Sequence, residues 1–195
     1  MNRRTAIVIL CAFSALLAGC ASTQTNFYTL SPTAEPAAAA ASYSIAVGPV
    51  SVPALVDRPQ IVVRVSPNQV VFDEFNHWAS PLKNEIARVV AEDLATLLGT
   101  PNVTVFPQST AVGASYRVVI DVIRFESAPG EAATLDAVWT TRAAKGDRSL
   151  TGRTTVSESL QDPGYAALIA AHSTVLLRLS SDIAEAIRTL EETGK

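Results

Sequence analysis

The sequence predicts an α+β fold, a largely antiparallel sheet with two long helices packed on one face. Three observations carry that prediction. Two segments repeat apolar residues at helical spacing, each introduced by a capping side chain followed by proline. Ser80-Pro81 leads into Leu82, Ile86, Val89, Val90, Leu94, Leu97 and Leu98, and Asp162-Pro163 leads into Leu168, Val175, Leu179, Ile183, Ile187 and Leu190. Between them, Tyr116, Val118, Ile120 and Val122 alternate with Arg117 and Asp121, as a half-buried strand requires. Leu135, Ala137 and Trp139 repeat the alternation, and Pro129-Gly130 and Lys145-Gly146-Asp147 supply turns before and after them. With the polar strand Ser149 to Ser157, these segments read as an antiparallel meander.

Taken in order, the chain opens with Arg3 and Arg4, then runs uncharged from Ala6 to Leu17. That is about twelve residues, roughly 18 Å as a helix and short of the roughly 20 residues a membrane span needs. Charged start, apolar middle and small-residue end follow the plan of a secretory signal. The run closes on Leu17-Ala18-Gly19-Cys20, which looks like the lipobox of bacterial lipoproteins. Cleavage is expected between Gly19 and Cys20, with lipid on the Cys20 sulfur. Ala21 stands where Asp would favour inner-membrane retention, so an outer-membrane anchor facing the periplasm is expected.

Residues 1–19 are therefore read as signal peptide, 20–42 as lipidated cysteine and flexible tether, and 43–195 as one α+β domain. The tether has little to bury: Thr33-Ala34-Glu35-Pro36 precedes five alanines, and Pro36 blocks a continuous helix. Fully extended it would reach roughly 70 Å. Phe27-Tyr28-Thr29-Leu30 interrupts it with one apolar patch, expected to dock on its own domain. In the domain, Ile45, Val47 and Val50 suggest a first strand broken by Pro49 and Pro53. Gln60 to Val65 and Gln69 to Phe72 suggest a hairpin about Ser66-Pro67-Asn68, and Val103 to Phe106 a short strand before the meander. Gly99 and Pro101 stop the first helix.

Composition narrows the chemistry. Cys11 leaves with the signal and Cys20 takes lipid, so the mature chain keeps no thiol for a disulfide, a nucleophile or a metal. Net charge is −3, and losing Arg3 and Arg4 takes it to −5, because residues 1–20 contain no Asp or Glu. A mildly acidic chain without a basic block offers no footprint for nucleic acid. About 175 mature residues, within a chain 48% hydrophobic, suffice for one packed core.

Catalytic groups are sparse. The histidines are His77 and His172, the second on or near the apolar stripe of the last helix, where core packing is expected. Asp73-Glu74-x-x-His77 lacks the two-histidine spacing of a zinc helix and reads as a polar loop. No G-x-S-x-G elbow or glycine-rich phosphate loop occurs. Glu92-Asp93 reads as a solvated pair, and Trp78 and Trp139 as core or seam residues. The chain is expected to be no enzyme and to need no cofactor or metal. The segment Val52-Pro53-Ala54-Leu55-Val56 is apolar and has no evident cover, so Val52, Pro53, Leu55 and Val56 are candidate partner-binding residues. Burial under the first helix explains them equally well.

A family resemblance joins these segments. Phe27-Tyr28-Thr29-Leu30 after a lipobox, Val47-Gly48-Pro49-Val50, the run from Pro53 to Arg64 and the run from Val71 to Leu82 resemble the ABC-type transport auxiliary lipoproteins, the PqiC-like family. The likeness is detailed from Cys20 to about residue 100 and thereafter one of layout. It implies a periplasm-facing lipoprotein that works with an MCE-domain protein and an ABC transporter in lipid transport and envelope integrity. No catalytic residue carries over from the family. A lipid-binding carrier and a structural lipoprotein of another envelope machine are the alternatives, and self-association stays open.

Overall fold

A computed structural model describes residues 24–36, 41–107 and 113–194, and they form two helices against one curled eight-stranded sheet. The strands are β1 (Asn26–Tyr28), β2 (Ile45–Ser51), β3 (Gln60–Ser66), β4 (Gln69–Trp78), β5 (Val103–Val105), β6 (Tyr116–Ala128), β7 (Ala132–Ala143) and β8 (Ser149–Ser159). The helices are α1 (Leu82–Leu98) and α2 (Tyr165–Glu192). The meander forms as the alternation predicts, with β6 antiparallel to β7 and β7 antiparallel to β8. Leu135, Val118 and Ile120 point into the core between sheet and helices, where Leu176, Leu179 and Ile183 of α2 meet Ile86 and Leu94 of α1.

The expected sheet was largely antiparallel; the observed one is mixed. The β3–β4 hairpin and the meander are antiparallel, but β2 lies parallel to both β5 and β6, β3 meets the end of β6 in parallel, and β1 lies parallel to the end of β4. Alternation reports which face of a strand is buried and is blind to the direction of its neighbour. Nor does Pro49 break β2. The strand continues to Ser51 through a register shift between Val47 and Val50, with Gly48 at φ 120°. A bulge absorbs the missing amide of the proline.

The helix starts differ in the same local way. Ser80 does not cap α1 through a backbone amide; its hydroxyl donates to Glu85 Oε1 at 2.6 Å, and the Pro81 carbonyl takes the Asn84 and Glu85 amides. Asp162 accepts from the Gly164 amide at 2.6 Å, and α2 begins at Tyr165. Gly99 ends α1 as predicted, left-handed at φ 62°, while the Thr100 amide returns to the Ala95 carbonyl.

Much of the segment read as a tether lies on the domain. β1 pairs with β4, and Leu30 is 1% exposed, so the Phe27–Leu30 patch docks on its own domain. Past that point the chain runs as a strap along α1. The Leu30 amide donates to Glu85 Oε2 at 3.1 Å, and the Leu30 carbonyl accepts from Arg88 at 2.6 Å. The Ser31 amide reaches Ser173 of α2, the Thr33 and Ala34 amides donate to Asp93 Oδ1, and the Ala41 amide reaches the Gly99 carbonyl. Asp93, read from sequence as solvated, is fully buried, and Ser180 of α2 donates to its other oxygen at 3.1 Å. A strap poor in apolar side chains is held instead through its backbone amides, which composition does not display.

Burial raises the Asp93 carboxyl above its ordinary value, and the Ala34 and Thr33 amides and the Ser180 hydroxyl offset this only in part. An acid whose folded pKa exceeds its unfolded value binds more protons when folded, so its contribution to stability falls as pH rises from the unfolded pKa through the folded one. Asp93→Asn keeps an oxygen for the strap amides and removes the charge. The stability of the native chain relative to Asp93→Asn is expected to fall with rising pH over the acid range and then level. Urea midpoints of both proteins between about pH 3 and about pH 7 check this.

Trp139 packs on the helix-facing side of the sheet, on the same face of β7 as Leu135. Its ring lies over Gly152, directly opposite on β8, and its Nε1 donates to Thr154 Oγ1 at 3.1 Å, which in turn donates to Asp182 of α2 at 2.7 Å. A Cβ on Gly152 would stand 2.3 Å from Trp139 Cζ2. Gly152→Ala is therefore expected to lower stability by about 1–3 kcal/mol through overpacking, read from denaturant unfolding.

Candidate functional site

The four candidate partner residues do not share one fate. The loop after β2 turns tightly, with the Val56 and Asp57 amides both donating to the Pro53 carbonyl. That turn sends Val56 inward, where it is 6% exposed in the core, and Leu55 outward, where it is 45% exposed. Val52 and Pro53 are half-buried at its base. Burial, one of the two alternatives the sequence left open, holds for Val56, while Leu55 beside it stays exposed. Gly19 and Cys20 lie outside the described residues.

Around Leu55 the fold gathers apolar side chains that sequence reasoning missed. Val70 from β4 and Ile123 from β6 stand with Pro53 and Leu55 about a cleft of about 110 Å³, floored by Val62 and Phe125. Ile123 is 54% exposed, and Phe72, on the same face of β4 as Val70, is exposed as well, while Val65 and Val71 stand exposed on the other face of the β3–β4 hairpin. One rim carries charge: Arg64 pairs with Glu126 at 2.7 Å and Glu131 at 3.0 Å. Ile123 had a sequence signal, since it follows buried Val122 at a place where alternation calls for a polar side chain. The β6–β7 register shifts there, between Val122 and Arg124.

A second, larger recess of about 470 Å³ opens on the surface beside the start of the strap. Phe27, Pro59, Trp78 and Pro81 give it apolar walls, and Arg58 and Lys83 bring positive charge. Lys83 pairs with Asp57 at 3.3 Å, while the Arg58 guanidinium lies 3.9 Å from the centre of the Phe72 ring. Trp78 itself is 5% exposed and packs edge-on against Phe125, so it belongs mainly to the core.

The remaining polar candidates hold structure together. His172 is buried, stacked on Phe125 at 4.1 Å, with Nε2 2.8 Å from Ser127 Oγ. Burial pulls its imidazole down to about 3, so it is neutral at physiological pH. Asp73 opposes its own burial by accepting from the Tyr165 hydroxyl and the Phe75 and Asn76 amides, which together hold its carboxyl below the ordinary range. That carboxylate staples the irregular stretch of β4 to the start of α2. His77, four residues on, faces Phe27 edge-to-face instead. Among the described residues, no three of His, Cys, Asp and Glu converge as metal ligands, and no helix is long and apolar enough to cross a membrane.

Residues 28–184 match the family model described as ABC-type transport auxiliary lipoprotein component. The fold is similar to the crystal structure of protein XCC0632 from Xanthomonas campestris, of family DUF330, with a TM-score of 0.70 at 21% identity over 87% of this chain and 100% of that one. A second crystal structure, of an uncharacterized protein, gives 0.69 at 19% identity over 85% and 99%. At these identities the likeness shows a shared fold. No curated protein matches the chain.

Proposed function

The chain belongs to the ABC-type transport auxiliary lipoprotein family, and from that premise we propose that it is a non-enzymatic accessory subunit of an MCE/ABC-type lipid transport system. In this reading, lipid on Cys20 anchors it in the outer membrane, the domain comprising residues 43–195 faces the periplasm, and the surface around Leu55 docks the MCE-domain protein. The observation that carries the docking role is the exposed convergence of Leu55, Val70 and Ile123 beside the ion-paired Arg64. An apolar centre with a polar, charged rim is the anatomy of a protein interface. The cleft beneath it, at about 110 Å³, is well below the roughly 300–1,000 Å³ of small-molecule sites, which favours docking over enclosure of a lipid.

Leu55→Asp places a charge at the centre of this surface while leaving buried Val56 and the Pro53 turn in place. Affinity capture from solubilised membranes is expected to recover the MCE-domain protein with the native chain and to lose it, by at least about tenfold, with Leu55→Asp. Thermal melting of the variant is expected to stay close to native. Equal recovery by both proteins would refute the docking surface.

A lipid carrier is the second reading, and the recess of about 470 Å³ beside Phe27 favours it. Lipid extraction of the purified protein separates the two: a stoichiometric extractable lipid, beyond the anchor on Cys20, supports the carrier.

A further inference from the structure

We infer that the Phe27 end of the domain rests on the surface of the bilayer that carries its own anchor, making a second, non-covalent membrane contact. The inference rests on the proposal above that Cys20 is lipidated. Its basis is the length of chain left free. A 22-residue tether would let the domain range roughly 70 Å from the membrane. The strap removes most of that length, because residues 26–28 are paired with β4, Leu30 is buried, and Ser31, Thr33 and Ala34 are hydrogen-bonded to α1 and α2. Five residues, Ala21 to Thr25, lie between Cys20 and Asn26, the first residue of β1, so six Cα-to-Cα steps join the two. Fully extended, they span at most about 21 Å, roughly half the width of a domain of this size, about 40 Å across.

On so short a leash the end of the domain that carries β1 stays at the membrane, and its chemistry suits that position. Phe27 is 65% exposed, the most exposed of the large apolar side chains among the described residues. It points away from the core, on the face of β1 opposite Tyr28, which turns inward to stack on Tyr165. Beside it the open recess presents Pro59 and Pro81 with the cations Arg58, stacked over Phe72, and Lys83, paired with Asp57 of the same recess. An aromatic residue flanked by cations is the composition that settles at the headgroup level, the ring among acyl carbons and the charges at phosphates. Each such contact is weak alone, but anchoring by Cys20 makes it intramolecular.

The mature chain has no thiol besides Cys20, so Phe27→Cys admits one spin label in the full-length lipidated protein. Glu185→Cys, on an exposed turn of α2 about 30 Å along the helix from Tyr165, is the control. Both are reconstituted into vesicles of phosphatidylethanolamine and phosphatidylglycerol and tested for collision with a water-soluble nickel chelate. The position-27 label is expected to lose about fivefold or more of its nickel accessibility on vesicles relative to detergent-released protein, while the position-185 label keeps its own. Protein that floats with vesicles but leaves position 27 open to nickel overturns this inference and leaves the anchor standing. Protein that fails to float overturns both. Protection of position 27 that persists in released protein and grows with protein concentration assigns the face to a second copy of the chain, and overturns the inference as well.

Discussion

Cys20→Ser, with residues 1–19 exchanged for a cleavable secretory signal, is expected to move nearly all of the protein from the membrane to the soluble periplasmic fraction while the domain stays folded. The exchange matters because the native run from Ala6 to Leu17, if left uncut, would itself hold the variant on a membrane. A single acyl chain binds a bilayer only marginally, at about 0.8 kcal/mol per buried CH₂, and a second one makes retention stable. A lipoprotein cysteine carries two or three chains. The Phe27 contact contributes far less, since its worth depends on being held close by the anchor. Fractionation and far-UV circular dichroism check both halves of the expectation. A variant that remained firmly membrane-bound would remove the anchor from the account of this protein.

Leu30→Ala is expected to cost about 2–5 kcal/mol, the range for emptying a fully buried leucine site. Leu30 is 1% exposed, and the groups around it act together: its amide and carbonyl engage Glu85 and Arg88, and Arg88 bonds Glu85 at 2.8 Å. Burial works to raise the Glu85 carboxyl, but Arg88, Ser80 and the Leu30 amide hold it below its ordinary value. A carboxyl with a depressed folded pKa stabilises the fold above its unfolded pKa and loses that contribution as pH falls through the folded one. Total stability for a domain is commonly about 5–15 kcal/mol, so the substitution removes a large share of it. Denaturant unfolding reads the loss. Limited proteolysis reads its location, because cleavage within residues 26–34 is expected to appear well before cleavage in the meander. Release of the strap would also lengthen the free tether, so this substitution is expected to loosen the domain from the bilayer as well as weaken it.

These two substitutions sit on opposite sides of what can be read without a structure. The features read as a signal and lipobox, from Arg3 to Cys20, are written in one stretch of chain, as are the stripes of α1 and α2, the stop at Gly99 and the alternation of the meander. Each is a property of one segment meeting water on one side and core on the other, and the period of the apolar residues records it. The amino-acid sequence alone therefore established the α+β class, the main elements and the residues of the resemblance that the family match supports.

The tertiary structure decided what depends on segments far apart in the chain. Ser31 meets Ser173 across 142 positions, and Thr33 meets Asp93 across 60. Neither Asp93 nor the strap carries a local mark of the encounter, so an acid that looked solvated is buried and a segment that looked free is bound. The parallel neighbours of β2 and β6, the splitting of Leu55 from Val56 and the emergence of Ile123 at a bulge arose in the same way. Periodicity specifies which side of a segment avoids water, whereas pairing, hydrogen-bond satisfaction and the exposed remainder are settled only when all the segments compete for the same core.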